Sequence, residues 1–156
     1  MNTKAINVLL VEDSREDVDL IREALMESAL QINFFVLDNG EDAINFLQNK
    51  KNFRQAKRPD LIILDLNLPR RSGHEVLSVI KEHKRLKTIP VVILTTSQAS
   101  SEMIQNYKSY GNCYICKPLE FEKYSDVVRE IEQFWSNAKR TLVNRISSIT
   151  NGDRDG

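Results

Sequence analysis

The sequence predicts an α/β fold: a doubly wound, five-stranded parallel sheet in one domain, with a C-terminal helical extension. Three observations carry this. Short apolar runs alternate with helix-period segments five times along the chain. The connections between them are short, as parallel β-then-α units require. Two of the runs, Leu61–Leu64 and Pro90–Leu94, are apolar without alternation, the pattern of strands covered on both faces.

The first strand is read at Ile6–Val11, an apolar stretch that runs into Glu12-Asp13 and is shorter than a signal-peptide core. A helix follows over about Arg15–Ala29. Ser14 is its N-cap, Asp17 completes a capping pair, and Val18, Ile21, Leu25 and Leu30 keep roughly helical spacing. The second strand is about Ile32–Leu37. The second helix is about Glu41–Asn49, capped near Asn39, with Ala43, Ile44 and Leu47 on one face. A basic, polar loop spans Lys50–Arg58. The third strand, Leu61–Leu64, is bounded by Pro59 before and by Pro69 and Gly73 after.

Ser72-Gly73-His74-Glu75 has the form of a capping box, so a third helix is expected over about His74–His83. The fourth strand is Pro90–Leu94. A polar helix over about Ser101–Tyr110 stops at Gly111. The fifth strand is about Cys113–Cys116. The fifth helix starts near Glu120, with Phe121, Tyr124, Val127, Val128, Ile131 and Phe134-Trp135 on one side. Leu142, Val143, Ile146 and Ile149 continue that rhythm, either as a solvated extension or as a partner or dimer surface. Thr150–Gly156 reads as a frayed tail. The division is therefore a domain over residues 1–138 and an extension and tail over 139–156.

The chain has 156 residues, enough for one ordinary core, with 41% hydrophobic and 28% charged residues. Its 22 basic and 22 acidic residues cancel, which argues against a general nucleic-acid binder. No run reaches the roughly 18 apolar residues of a membrane span. A cytoplasmic location is the expectation. Cys113-Tyr114-Ile115-Cys116 has redox or metal-site spacing, but side chains three apart on a strand point to opposite faces. A zinc site needs four ligands, and His74 and His83 lie on another element, where they read as surface residues.

Polar residues stand at the C-terminal ends of the strands, the edge where open α/β sheets place their chemistry. They are Glu12 and Asp13 after the first strand, Asp65 after the third, Thr95 after the fourth, and Lys117-Pro118 after the fifth. Three carboxylates packed together repel. A like-charge pair at ~4 Å costs on the order of 4 kcal/mol at an effective dielectric near 20. Such a cluster should hold a proton or bind a cation, and an all-oxygen donor set favours Mg²⁺. Lys117 stays protonated among these acids and suits a phosphate. Metal, ammonium and hydroxyl around a carboxylate are what a phosphoryl acceptor needs.

This ordered set, Glu12-Asp13, Asp65 with Asn67-Leu68-Pro69, Thr95 and Lys117-Pro118, resembles the receiver domain of two-component response regulators over roughly residues 5–138. The resemblance implies a flavodoxin-like sheet of order 2-1-3-4-5. It implies that Asp65 accepts a phosphoryl group from a histidine kinase. Asp13 would ligate Mg²⁺ directly, Glu12 through water, Asn67 through its backbone carbonyl, and Asp65 would complete the metal set. Thr95 and Tyr114 would be the switch pair, Lys117 would pair with the acids and then with the phosphoryl oxygens, and the Lys117–Pro118 bond would be cis. Glu12 is one methylene longer than the commoner Asp. Thr96 stands where Ala or Gly is frequent, which narrows access to Asp65. Ser97 occupies a position that tunes dephosphorylation.

A closer likeness is to the stand-alone response regulators paired with cyanobacterial phytochromes. It rests on Glu12–Asp17, the loop Lys50–Arg58, Leu94–Ser97, Asn112–Ile115 and Phe134-Trp135. It implies a light-sensing kinase as partner and a homodimer through helices 4 and 5 and strand 5. With little chain after Trp135, no DNA-binding domain is expected and the output is altered protein contact or further phosphotransfer. The competing class is an enzyme, a Mg²⁺-dependent aspartyl-phosphate phosphohydrolase. Haloacid-dehalogenase-type enzymes place a second Asp two residues after the nucleophile, where this chain has Asn67, which cannot act as general acid. A P-loop NTPase is weaker still, since no G-x-x-x-x-G-K-[ST] occurs. A binding module that is never phosphorylated is disfavoured by the complete acceptor set.

Overall fold

The computed structural model describes residues 5–96, 101–109 and 112–152. Ser97, the helix stop at Gly111 and the end of the tail, 153–156, lie outside the described residues, as do the side chains of Leu142, Val143, Ile146 and Ile149. The strands are β1 (Ile6–Val11), β2 (Ile32–Leu37), β3 (Leu61–Leu64), β4 (Val91–Thr95) and β5 (Cys113–Cys116). They form one parallel sheet in the order β2-β1-β3-β4-β5. The helices are α1 (Arg15–Met26), α2 (Gly40–Leu47), α3 (Gly73–Glu82), α4 (Ser101–Ser109) and α5 (Tyr124–Gly152).

Alternate residues of the strands feed two cores. Leu9, Val11, Ile62, Leu64, Val91 and Ile93 face α2 and α3, where Ile44, Phe46, Val76 and Ile80 close over them. Val8, Leu10, Leu61, Ile63, Val92 and Leu94 face α1 and α5, against Ile21, Leu25, Val128 and Ile131. Every residue of β3 and β4 is buried, which is why those segments read as unbroken apolar runs. β2 is an edge strand and alternates in exposure.

The helix ends follow from local chemistry. The Ser14 and Ser72 hydroxyls accept from the Asp17 and Glu75 N–H groups at 3.3 Å, and Asn39 accepts from the Asp42 N–H at 2.8 Å. The capping box at Ser72 is only half made, because the Glu75 carboxylate turns to Arg71 at 2.9 Å. α1 stops at Met26, earlier than its apolar rhythm suggested, where the Ser28 hydroxyl donates to the Leu25 carbonyl at 2.6 Å. Within the Lys50–Arg58 loop, a 3₁₀ turn at Lys51–Phe53 sets the Phe53 ring 5.6 Å from Phe46.

Two expectations need correction. Phe121 does not join the apolar face of α5: it sits in a 3₁₀ turn, Phe121–Lys123, and is 59% exposed. The helix proper begins at Tyr124 and runs unbroken past Ala138, because neither Gly nor Pro interrupts it before Gly152. No cis peptide bond occurs among the described residues, so Lys117–Pro118 is trans. The trans form is favoured by about 0.5–1 kcal/mol before proline, and it already delivers Lys117 to the acids.

Candidate functional site

Glu12, Asp65 and Lys117 each lie one step beyond a strand, Thr95 closes β4 and Tyr114 lies within β5, and the backbone ladder continues far enough to fix the first three. The Glu12 N–H donates to the Leu37 carbonyl at 2.9 Å, the Asp65 N–H to Val11 at 3.0 Å, and the Lys117 N–H to Thr95 at 3.0 Å. The parallel register thus brings β1, β3, β4 and β5 to one edge with their polar groups converging. Gly73 permits the close return of the chain after β3. A Cβ there would fall 2.2 Å from the Asp65 carbonyl oxygen, so no other residue fits without moving the backbone of Asp65 itself.

Lys117 is the hub. Its Nζ donates to Glu12 Oε2 at 2.6 Å, Asp65 Oδ2 at 2.8 Å and Asp17 Oδ2 at 2.9 Å, and its side chain is 5% exposed. Asp65 Oδ1 accepts from the Thr95 hydroxyl at 2.8 Å and from the Asn67 N–H at 3.0 Å. Glu12 Oε1 takes the Ser14 N–H at 3.0 Å. Glu12, Asp65 and Thr95 are buried, and Asp13 is exposed at the mouth. Beside Glu12 and Asp13 opens a cleft of about 530 Å³ between α1 and β2, flanked by Arg15 and Arg22.

The electrostatics divide the two buried acids. Burial raises the Glu12 carboxyl more than Lys117 and the Ser14 N–H lower it, and it is pushed up to about 7. Burial works the same way on Asp65, but the hydrogen bonds from Lys117, the Asn67 N–H and Thr95 together prevail and hold it below the ordinary carboxylate value. Burial opposes the Lys117 charge, and its three carboxylate partners overcome that, raising the group above the usual lysine value. The site therefore keeps Asp65 as the anion while Glu12 carries the easily exchanged proton.

Oxygens of Glu12, Asp13 and Asp65 lie within 4.8 Å of one another. An all-carboxylate set of this compactness fits a hard divalent cation, and neither His nor Cys intrudes on it. Cys113, half-buried, and Cys116, exposed, are not joined in a disulfide. Tyr114 lies on β5 away from Lys117, stacked at 6.0 Å and 7° on Tyr107 of α4, whose hydroxyl meets His74 Nδ1 at 2.6 Å. His74 is thus exposed but engaged with α4.

Asp17 was legible only as a cap residue, yet it is the third acid on Lys117. Its one clue is position: it stands in the first turn of α1, four residues after Asp13.

Comparisons with known proteins agree with this geometry. A family model described as "Response regulator receiver domain" matches residues 8–129. Response regulator Rcp1 of Synechocystis sp. is 42% identical over 128 residues, covering 82% of this chain and 87% of that protein. Among solved structures, the phosphorylated cyanobacterial phytochrome response regulator RcpA superposes with a TM-score of 0.77 at 39% identity, covering 85% of this chain and 94% of that one. The Mn²⁺-bound form of Rcp1 gives 0.76 at 42% identity, covering 83% and 94%. The bacteriophytochrome response regulator RtBRR gives 0.69 at 29% identity, covering 95% and 96%. With Asp65, Thr95 and Lys117 gathered at one sheet edge and the match spanning most of its length, this chain belongs to the response regulator receiver domain family.

Proposed function

We propose that Asp65 is the phosphoacceptor of a two-component system, receiving its phosphoryl group from a histidine kinase. The observation that carries this is the Lys117 ammonium held 2.8 Å from an Asp65 carboxylate whose other oxygen takes Thr95 and the Asn67 N–H. Among the described residues Asp65 Oδ2 has a single donor, Lys117, and so keeps a lone pair for phosphorus. The new O–P bond forms as the donor's P–N bond breaks, and the released imidazole takes a proton. Glu12, Asp13, Asp65 and the Asn67 carbonyl would hold Mg²⁺, which draws charge from the transferring phosphoryl oxygens. Lys117 neutralises the same oxygens. Thr95 then exchanges Asp65 Oδ1 for a phosphoryl oxygen, and Tyr114, on the adjoining strand, repacks with Tyr107. The surface of α4, β5 and α5 changes with it, and that change is the signal.

The kinase is of the phytochrome type on this reading, supported by the relatives whose names carry that pathway. A cytoplasmic location accords with this, and among the described residues no helix is long and apolar enough to cross a membrane. The chain signals by protein contact rather than by turnover of substrates or binding of nucleic acid, since Asn67 stands where a hydrolase of this chemistry needs an acid. It pairs as a homodimer through α4, β5 and α5, with β5 at the sheet edge and α5 continuing beyond Trp135.

Intact mass after incubation with acetyl phosphate and Mg²⁺ tests the acceptor. One added phosphoryl group is expected, absent in Asp65→Asn and suppressed by EDTA. Sustained hydrolysis of varied phosphomonoesters would replace this reading with the enzymatic one. Light scattering on a chain truncated after Trp135 tests the dimer, and an unchanged mass would remove the extension from it.

A further inference from the structure

The turn that follows Asp65 is strained and is held from an unexpected direction. Arg70 and Arg71 adopt consecutive left-handed conformations, φ 49° and 78°. Large side chains seldom accept one such angle, still less two in a row. The carbonyls of this turn are taken by the start of α2. The Gly40 N–H donates to Pro69 at 3.1 Å and the Glu41 N–H to Arg70 at 2.7 Å. These are first-turn amides that have no partner inside their helix, and water could satisfy them. Gly40 is what admits the turn: a Cβ there would lie 1.9 Å from the Arg71 carbonyl oxygen and 2.7 Å from its carbon. Backbone atoms cannot swing aside as a side-chain tip can.

The other end of the segment is tied as tightly. The Gly73 N–H donates to Leu66 at 3.0 Å, and Gly73 lies against the Asp65 carbonyl. Asn67 lies between these two clamps and donates its N–H to Asp65 Oδ1. Strain concentrated beside a functional carboxylate and maintained by surrounding contacts points to positioning.

From this we infer that Gly40 and the first turn of α2 position the segment 66–72, and through Asn67 set the geometry of the metal and acceptor site. This rests on the phosphoacceptor reading and extends it to a helix that touches none of the reacting atoms. The link is reciprocal, because coupling between two sites acts equally in both directions. Fixing Asn67 tightens the Gly40 and Glu41 amides, and displacing the start of α2 loosens the site.

Amide exchange on the unaltered chain reads this directly. Mg²⁺ alone, at saturation, should slow exchange at Gly40 and Glu41 by about tenfold or more. The Asp42 amide, which donates to the Asn39 side chain instead, serves as the internal reference and should change little. Equal change at all three amides, or none at Gly40 and Glu41, would overturn the inference. In Gly40→Ala the Arg71 carbonyl must retreat by about an ångström, a displacement that can cost on the order of a hundredfold in a positioned reaction. Phosphorylation by acetyl phosphate should slow by ~30- to 100-fold, with Mg²⁺ bound about tenfold more weakly. Adding Arg71→Gly, which lets that carbonyl turn away, should restore at least tenfold of the rate. Ile44→Val, a small cavity in the same helix, should lower stability and leave Mg²⁺ affinity unchanged. If Ile44→Val reproduced the Gly40→Ala loss, or if Gly40→Ala bound Mg²⁺ normally, the role would be merely structural. Failure of the unaltered chain to take a phosphoryl group would instead sink the acceptor reading, and the amide response to Mg²⁺ would still be read separately.

Discussion

Replacing Lys117 with Met keeps the volume and removes the charge. Lys117 Nζ lies 2.6–2.9 Å from three carboxylates with its side chain 5% exposed. At an effective dielectric near 20, each such pair attracts by about 6 kcal/mol, most of which offsets the cost of taking the ions out of water. What survives the substitution is a pair of buried carboxylates, Glu12 and Asp65, with oxygens within 4.8 Å. Their repulsion at that distance is about 3–4 kcal/mol. Loss of one partner from a buried pair commonly costs about 3–5 kcal/mol. We therefore expect Lys117→Met to lose ~3 kcal/mol at pH 8 in EDTA, measured by urea unfolding. The loss should shrink to about 1–2 kcal/mol at pH 6, because Glu12, lifted to about 7 beside Lys117 and pushed higher once that ammonium is gone, then carries a proton that ends the repulsion. Mg²⁺ should recover most of the pH 8 deficit by taking over as counter-charge. A loss below ~1 kcal/mol at pH 8, or one that Mg²⁺ leaves untouched, would refute the assignment of Lys117 as the cation that balances this cluster.

Other outcomes follow from the same contacts. Folded Glu12 holds its proton to about 7, above its ordinary 4.5, so it favours the folded state at low pH. That contribution should fade as pH rises through this window, and Glu12→Gln should flatten the pH profile of the thermal midpoint; an unchanged slope would contradict it. Mg²⁺ binding below about pH 7 should expel this proton, seen as a buffer-dependent heat in titration calorimetry. Asp65 lies below its ordinary value, so its contribution has the opposite sign and is lost on acidification. Thr95→Val should cost about 1.5–3 kcal/mol through the lost bond to a buried carboxylate, by chemical denaturation. A double-mutant cycle on Tyr107 and Tyr114 should give a coupling of about 0.5–1.5 kcal/mol for their stack, and zero coupling would sever α4 from β5.

Much of this was written in the chain. The five strands were legible because β3 and β4 are buried on both faces and because turn residues bracket them. The convergence of Glu12, Asp65, Thr95 and Lys117 was legible because parallel sheets deliver strand ends to one edge. What escaped was contact between distant residues and departures from local preference. Asp17 meets Lys117 across 100 positions, which no local pattern encodes. Phe121 fits a helical rhythm but precedes the helix, since the 3₁₀ turn shifts its direction. Arg70 and Arg71 have no propensity for left-handed backbone, so a strained turn there could not be foreseen from composition. The resemblance supplied a cis Lys117–Pro118 bond that this chain does not use.

The length of α5 has a mechanical meaning. Among the described residues Trp135 is the last of this helix packed on the core, and the helix continues to Gly152, about 25 Å further at 1.5 Å per residue. A helix anchored at one end is a pointer whose tip magnifies the angle of its base. A tilt of ~5° at Trp135, within what repacking of a small side chain can produce, sweeps the far end by roughly 2 Å. Events at a carboxylate the size of a few atoms are thereby read at a distance, as gain rather than as contact.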